Sequence, residues 1–123
     1  EATQKETPVF VLNTPKHSIT ATARIIDSHF VVEEGSLAQG AWVGTNSENT
    51  SYAKLHGDLI QQGVLVRKDS KCIFAKNYAF NSPSAAGAVV NGRPTNGTTE
   101  WKVKGTDKTY KDWEAQELMK QAS

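Results

Sequence analysis

The chain has one cysteine, one methionine, three histidines and four prolines among 123 residues. A single thiol, Cys72, excludes an internal disulfide and any zinc site built from several cysteines, and it fits a reducing compartment. His17, His29 and His56 fall on a pre-strand loop, a hairpin and a helix without ligand spacing, so no metal and no cofactor are expected. Apolar runs are short. Residues 9–12 and 64–66 are far from the length that crosses a bilayer, and no basic-then-apolar leader opens the sequence, so a cytoplasmic protein with no membrane partner is expected. Nucleophile elbow, phosphate-binding loop, dinucleotide fingerprint and H-E-x-x-H pattern are also missing. Cys72 sits in an apolar strand with no base beside it and reads as a buried, inert thiol; a non-enzyme is expected.

What is present describes a folded domain. Hydrophobic residues make up 37% and charged residues 22%, with three Trp, three Tyr and four Phe, enough for one core and too little for two. Residues 1–7, "EATQKET", read as a linker or lead-in to a single domain over 8–123, expected to be one part of a longer protein. The net charge is only +1, but it is unevenly spread: residues 1–63 carry four basic and seven acidic residues, residues 64–111 nine basic and three acidic. A basic segment of that size is compatible with a nucleic-acid footprint and equally with a solvated lysine-rich face.

Periodicity gives the elements. "PVFVLN" reads as a strand, and "SITATARII" alternates Ile19, Ala21, Ala23 and Ile25 with polar residues, as a strand buried on one face does. Asp27 and Ser28 form a two-residue link to the strand "HFVVEE", the spacing of a tight hairpin. Residues 37–51 read as a loop with Trp42 tucked onto the core. From Ser51 the period becomes helical, with Tyr52, Leu55 and Leu59 on one stripe, a cap at Asn49, Thr50 or Ser51, and Gly63 as the stop. "KCIFAKNYAF" reads as one strand, "TTEWKV" as another with Trp101 and Val103 on one side, and Thr109 with Asp112 as a capping box opening a last helix. The fold class is α+β: a small, mainly antiparallel sheet with about three short helices in a single domain.

One segment carries the candidate chemistry. In "NSPSAAGAVVNGRPTNG", residues 81–97, Ser82 is placed as an N-cap, Pro83 at the first helical position and Gly92 as the left-handed stop, while Asn96-Gly97 reads as a turn. A serine before proline at a helix start reads as a cap rather than a catalytic hydroxyl. The same helix start, with hydroxyls on Ser82 and Ser84 and with Arg93, Lys102 and Lys104 following, has the donors that hold a phosphate. Trp101 beside Lys102 reads either as core or as a stacking platform for a base. The candidate nucleic-acid-binding residues are therefore Ser82, Ser84, Arg93, Asn96, Trp101, Lys102 and Lys104.

The order "FVVEEGS", "LIQQGVLV" and "YAFNSPSAAGAVVNGRPTNGTTEWK" resembles the bacterial domain-of-unknown-function family 4357 over roughly residues 9–113. More distantly it is similar to the domain associated with restriction enzymes and adenine methylases. The shared positions are Gly35, Ser36, Leu59, Gly63, Ser82–Ala86, Gly92, Asn96, Gly97, Trp101 and Lys102. The resemblance implies an accessory domain without established activity, found beside GIY-YIG nuclease modules and restriction-modification genes. The expected partners are therefore DNA and a nuclease or methylase domain in the same or a neighbouring chain, with the oligomeric state open. One departure is Thr98, where the family usually has an aromatic residue. The alternative is a protein-interaction or structural domain with no nucleic-acid contact.

Overall fold

A computed structural model describes residues 8–14, 18–40, 42, 51–93 and 95–122. His17, Asn49 and Thr50, singled out above, lie outside the described residues. Four strands come first: β1 (Phe10–Thr14), β2 (Ile19–Ile26), β3 (His29–Val32) and β4 (Leu37–Gln39). Helix α1 (Ser51–Gln61) follows, then β5 (Leu65–Lys68), β6 (Lys71–Phe74) and β7 (Tyr78–Phe80). Helices α2 (Pro83–Asn91) and α3 (Gly97–Glu100), the two-residue β8 (Lys102–Val103) and α4 (Tyr110–Ala122) complete the chain.

The strands form two antiparallel sheets, one of five strands in the order β7-β3-β2-β1-β8 and one of three in the order β4-β6-β5. The β2–β3 hairpin forms as its sequence requires. Asp27 and Ser28 both have positive φ, 50° and 68°, which matches the twist of the flanking strands and places Ile26 opposite His29. Along β2 the alternation is literal: Ile19, Ala21 and Ala23 are buried while Thr20 and Arg24 face out. The link between the sheets is Gly35-Ser36. Buried Ser36 accepts the Thr22 N–H on its hydroxyl (3.0 Å) and the Phe74 N–H on its carbonyl (2.8 Å), joining β2 of one sheet to β6 of the other.

Helix α2 is the centre of the fold. Every residue from Ala85 to Asn91 is buried, so the helix is enclosed on all sides by α1, α3 and strands of both sheets. Its small side chains permit this close approach. Across the five-stranded sheet, Phe30 meets Trp101 at 5.0 Å between ring centroids, and Phe10 meets Tyr110 and Trp113 at 5.4 and 5.3 Å. These contacts seat α4, whose start is the expected capping box: Thr109 Oγ1 accepts the Asp112 N–H (3.1 Å) and Asp112 Oδ2 the Thr109 N–H (3.4 Å).

Three expectations are corrected. Residues 37–39 form a strand rather than a loop, because β6 pairs with them residue by residue. "KCIFAKNYAF" breaks after Phe74 into two strands belonging to different sheets. Residues 98–100, expected to begin the strand 98–103, instead join Gly97 in a fourth helix of one turn ahead of β8, packed against α2.

Candidate functional site: a lysine-edged groove

The start of α2 is built as the sequence indicates, and packing consumes its polar groups. Ser82 is extended at φ −156° and its Oγ accepts the Ala85 N–H at 3.1 Å. The Ser84 Oγ accepts the Gly97 N–H at 3.1 Å, and buried Trp101 donates its indole N–H to the Pro83 carbonyl at 3.0 Å. Gly97 lies so close to Pro83 that a Cβ there would overlap the Pro83 carbonyl, so the position needs glycine, and Asn96-Gly97 opens the helical turn α3. The Asn96 carbonyl accepts the Thr99 and Glu100 N–H groups, and its side chain accepts the Thr98 hydroxyl at 2.7 Å.

Four of the seven candidate residues, Ser82, Ser84, Asn96 and Trp101, are thus held in one structural joint. The stacking role considered for Trp101 is corrected: the ring is fully buried and offers no face to a base. Arg93, Lys102 and Lys104 remain exposed, with no ion-pair partner among the described residues. The structure does not bring all three together. Lys102 and Lys104 line a groove on the outer face of the five-stranded sheet; Arg93 is not part of it.

That groove has a volume of about 870 Å³. Its floor comes from β1 and β2: Val11, Asn13, Thr20 and Thr22 all point outward because their neighbours Phe10, Leu12, Ile19 and Ala21 point into the core. The β1–β8 register sets Lys102 opposite Val11 on this face, and a turn at Gly105, φ 80°, closes the end. Glu100 and Asp107 share the rim with the two lysines. The outward alternation of Thr20 and Thr22 is visible in the sequence, but nothing there puts it beside Lys102.

Residues 10–114 match the family model described as a domain of unknown function, DUF4357. The chain belongs to this family. No curated protein and no solved structure matches it. In this DUF4357 domain, several positions that carry the resemblance are joints. Ser36 stitches the sheets, and Gly63 ends α1 at φ 83°. Ser84, Gly97 and Trp101 clamp α3 to α2. Thr98 is half-buried and its hydroxyl is bonded to the Asn96 side chain.

The titratable groups of the DUF4357 domain have structural explanations. His56 is buried and bonded through Nε2 to the Gln39 carbonyl at 2.9 Å, so that nitrogen carries the proton, and Trp42 sits at its edge. Burial pushes its pKa below 6.5, the Gln39 carbonyl opposes the shift, and Arg67 adds to it. Burial raises the Cys72 thiol, with Arg67 partly offsetting. Tyr110 is raised by burial and then by Glu114. Among the described residues, no three His, Cys, Asp or Glu side chains gather as metal ligands would, and no helix is long and apolar enough to cross a membrane.

Proposed function

We propose that the protein is a non-enzymatic accessory domain that binds nucleic acid weakly through the phosphate backbone, beside a nuclease or methylase module, with DNA as the partner. The observation that carries this reading is the pairing state of its cations. Arg24 and Lys54, in the first half, are held by Glu33 at 2.8 Å and Asp58 at 3.2 Å. Among the described residues, none of the nine basic residues of 64–111 is in an ion pair, and seven of them are exposed. Unpaired exposed cations are available to phosphates without breaking an internal contact.

Lys102 on β8 and Lys104 in the turn that follows both line this groove, placed to meet neighbouring phosphates of one nucleic-acid strand. On the floor, the Thr20 and Thr22 hydroxyls donate to Asn13 and Glu33, so the lysines carry the phosphate contact. Glu100 and Asp107 on the same groove offset the charge of the two lysines and keep the attraction modest. Contacts of this kind position a protein without reading sequence. The test is binding to a labelled DNA duplex across a salt series. Affinity falls steeply with salt, and Lys102→Glu with Lys104→Glu weakens it and flattens the slope by about 0.9 for each phosphate that is no longer neutralised. No binding at low salt overturns the reading.

A second reading, a protein-interaction domain, is favoured by α4, where Leu118 and Met119 are 61% and 73% exposed. It predicts that lysine substitution at these two positions abolishes capture of a protein partner and leaves DNA binding unchanged.

A further inference from the structure

The sheet has a second concave site at its other edge. A cleft of about 450 Å³ opens between α1, β7 and the start of α2, within the size range of small-ligand pockets. Strand β7 and strand β8 are the two edges of the five-stranded sheet, four strand spacings or about 19 Å apart, so the cleft is well separated from Lys102 on β8. The cleft differs in chemistry from the groove. Its walls hold Tyr52, Tyr78 and Leu55, and its mouth holds Asn81. The lysine and aspartate it contains, Lys54 and Asp58, are bonded to each other and leave no free charge for a phosphate.

Three polar groups here lack partners. The hydroxyls of Tyr52 and Tyr78 and the side-chain amide of Asn81 have no hydrogen bond among the described residues, although both tyrosines are half-buried. No buried side-chain polar atom lacks a partner among the described residues, so these three groups reach the open cleft and are available to a ligand there. The Tyr78 ring is fixed by edge contact with Phe80 at 4.8 Å, so it presents a set face and not a free rotor. An aromatic wall, an ion pair that leaves no net charge and an unpaired amide at the rim fit one planar heterocycle with donors and acceptors along its edge.

We infer that this cleft binds one unpaired nucleobase of a single strand, stacked against Tyr78 and Tyr52, with the Asn81 amide on the base edge. Stacking on an aromatic side chain accepts any base, and an amide offers the paired donor and acceptor that favours adenine. The inference rests on the nucleic-acid reading above and adds to it a substrate form, a single strand with one unpaired base held in the cleft. It assigns the aromatic contact to Tyr52 and Tyr78 in place of the buried Trp101.

The experiment compares a short single-stranded DNA oligonucleotide with the blunt duplex of the same sequence, using fluorescence anisotropy at low salt. Tyr78→Leu and Asn81→Ala are each expected to weaken single-strand binding about tenfold and to leave duplex binding unchanged, whereas Lys102→Glu weakens both. Asn81 is exposed, so Asn81→Ala tests the cleft even where Tyr78→Leu disturbs folding. Single-strand binding unaffected by Asn81→Ala and Tyr78→Leu, with duplex binding still sensitive to Lys102→Glu, overturns the cleft and leaves the phosphate reading standing. Absence of binding to either probe overturns both.

Discussion

The start of α2 and the edge strand β8 both carry polar residues that could meet a phosphate, hydroxyls at one and lysines at the other, yet the fold treats them in opposite ways. At the helix start, the oxygens of Ser82 and Ser84 are occupied by the Ala85 and Gly97 N–H groups, and the Pro83 carbonyl by Trp101. At β8, Lys102 and Lys104 project into an open groove with no ion-pair partner among the described residues. Donors and acceptors gathered in sequence become a joint wherever the chain returns onto them. They remain available to a ligand where the sheet's outer face is left uncovered.

This contrast breaks first at Trp101. Trp101→Ala removes the largest buried side chain and the indole donor to Pro83, and is expected to cost about 3–5 kcal/mol in urea unfolding. Gly97→Ala forces the Pro83 backbone aside and is expected to cost about 1–3 kcal/mol, with α3 detached from α2. Next come the serines. Ser84→Ala leaves the buried Gly97 N–H without an acceptor, a loss of about 1–3 kcal/mol, while Ser82→Ala removes only a cap and costs about 1 kcal/mol. If both serine variants instead keep full stability and lose DNA binding, the helix start is a ligand site after all.

His56 gives an acid test remote from both regions. Its folded pKa lies below the unfolded value near 6.5, so the unfolded chain binds more protons and stability falls as pH drops below 6.5 towards the folded pKa; above 6.5 the contribution is complete. His56→Gln is expected to flatten that acid limb in pH-dependent melting. The smallest effect on stability belongs to β8. Lys102→Glu and Lys104→Glu are expected to change unfolding by less than about 0.5 kcal/mol while weakening DNA binding. Equal losses of stability at Ser84 and Lys102 would erase the distinction between joint and groove.

What can be read from the sequence is what neighbouring residues decide among themselves. The Asp27-Ser28 hairpin, the Ser82 and Gly92 ends of α2 and the Thr109–Asp112 box depend on contacts within a few residues, and each forms as its pattern indicates. β4 is not legible because three residues become a strand only when β6 lies beside them. The 97–100 turn escapes the sequence for a similar reason: Gly97 is required by the backbone of Pro83, fourteen positions earlier, and no local propensity records that contact. At the site, the outward direction of Lys102 follows from alternation with Trp101 and Val103. The Tyr52–Tyr78–Asn81 cleft does not, since α1, β7 and the α2 entry must meet before it exists. In the sequence, Tyr52 is only one more residue on the apolar stripe of α1.

Cys72 sits without exposure in the middle strand of the three-stranded sheet, its thiol protonated by burial. Because no second cysteine competes, a thiol reagent added to the native protein reacts only as fast as that sheet parts. The DUF4357 domain therefore contains its own clock for the opening of one sheet, readable without any label on the five-stranded sheet that carries the groove.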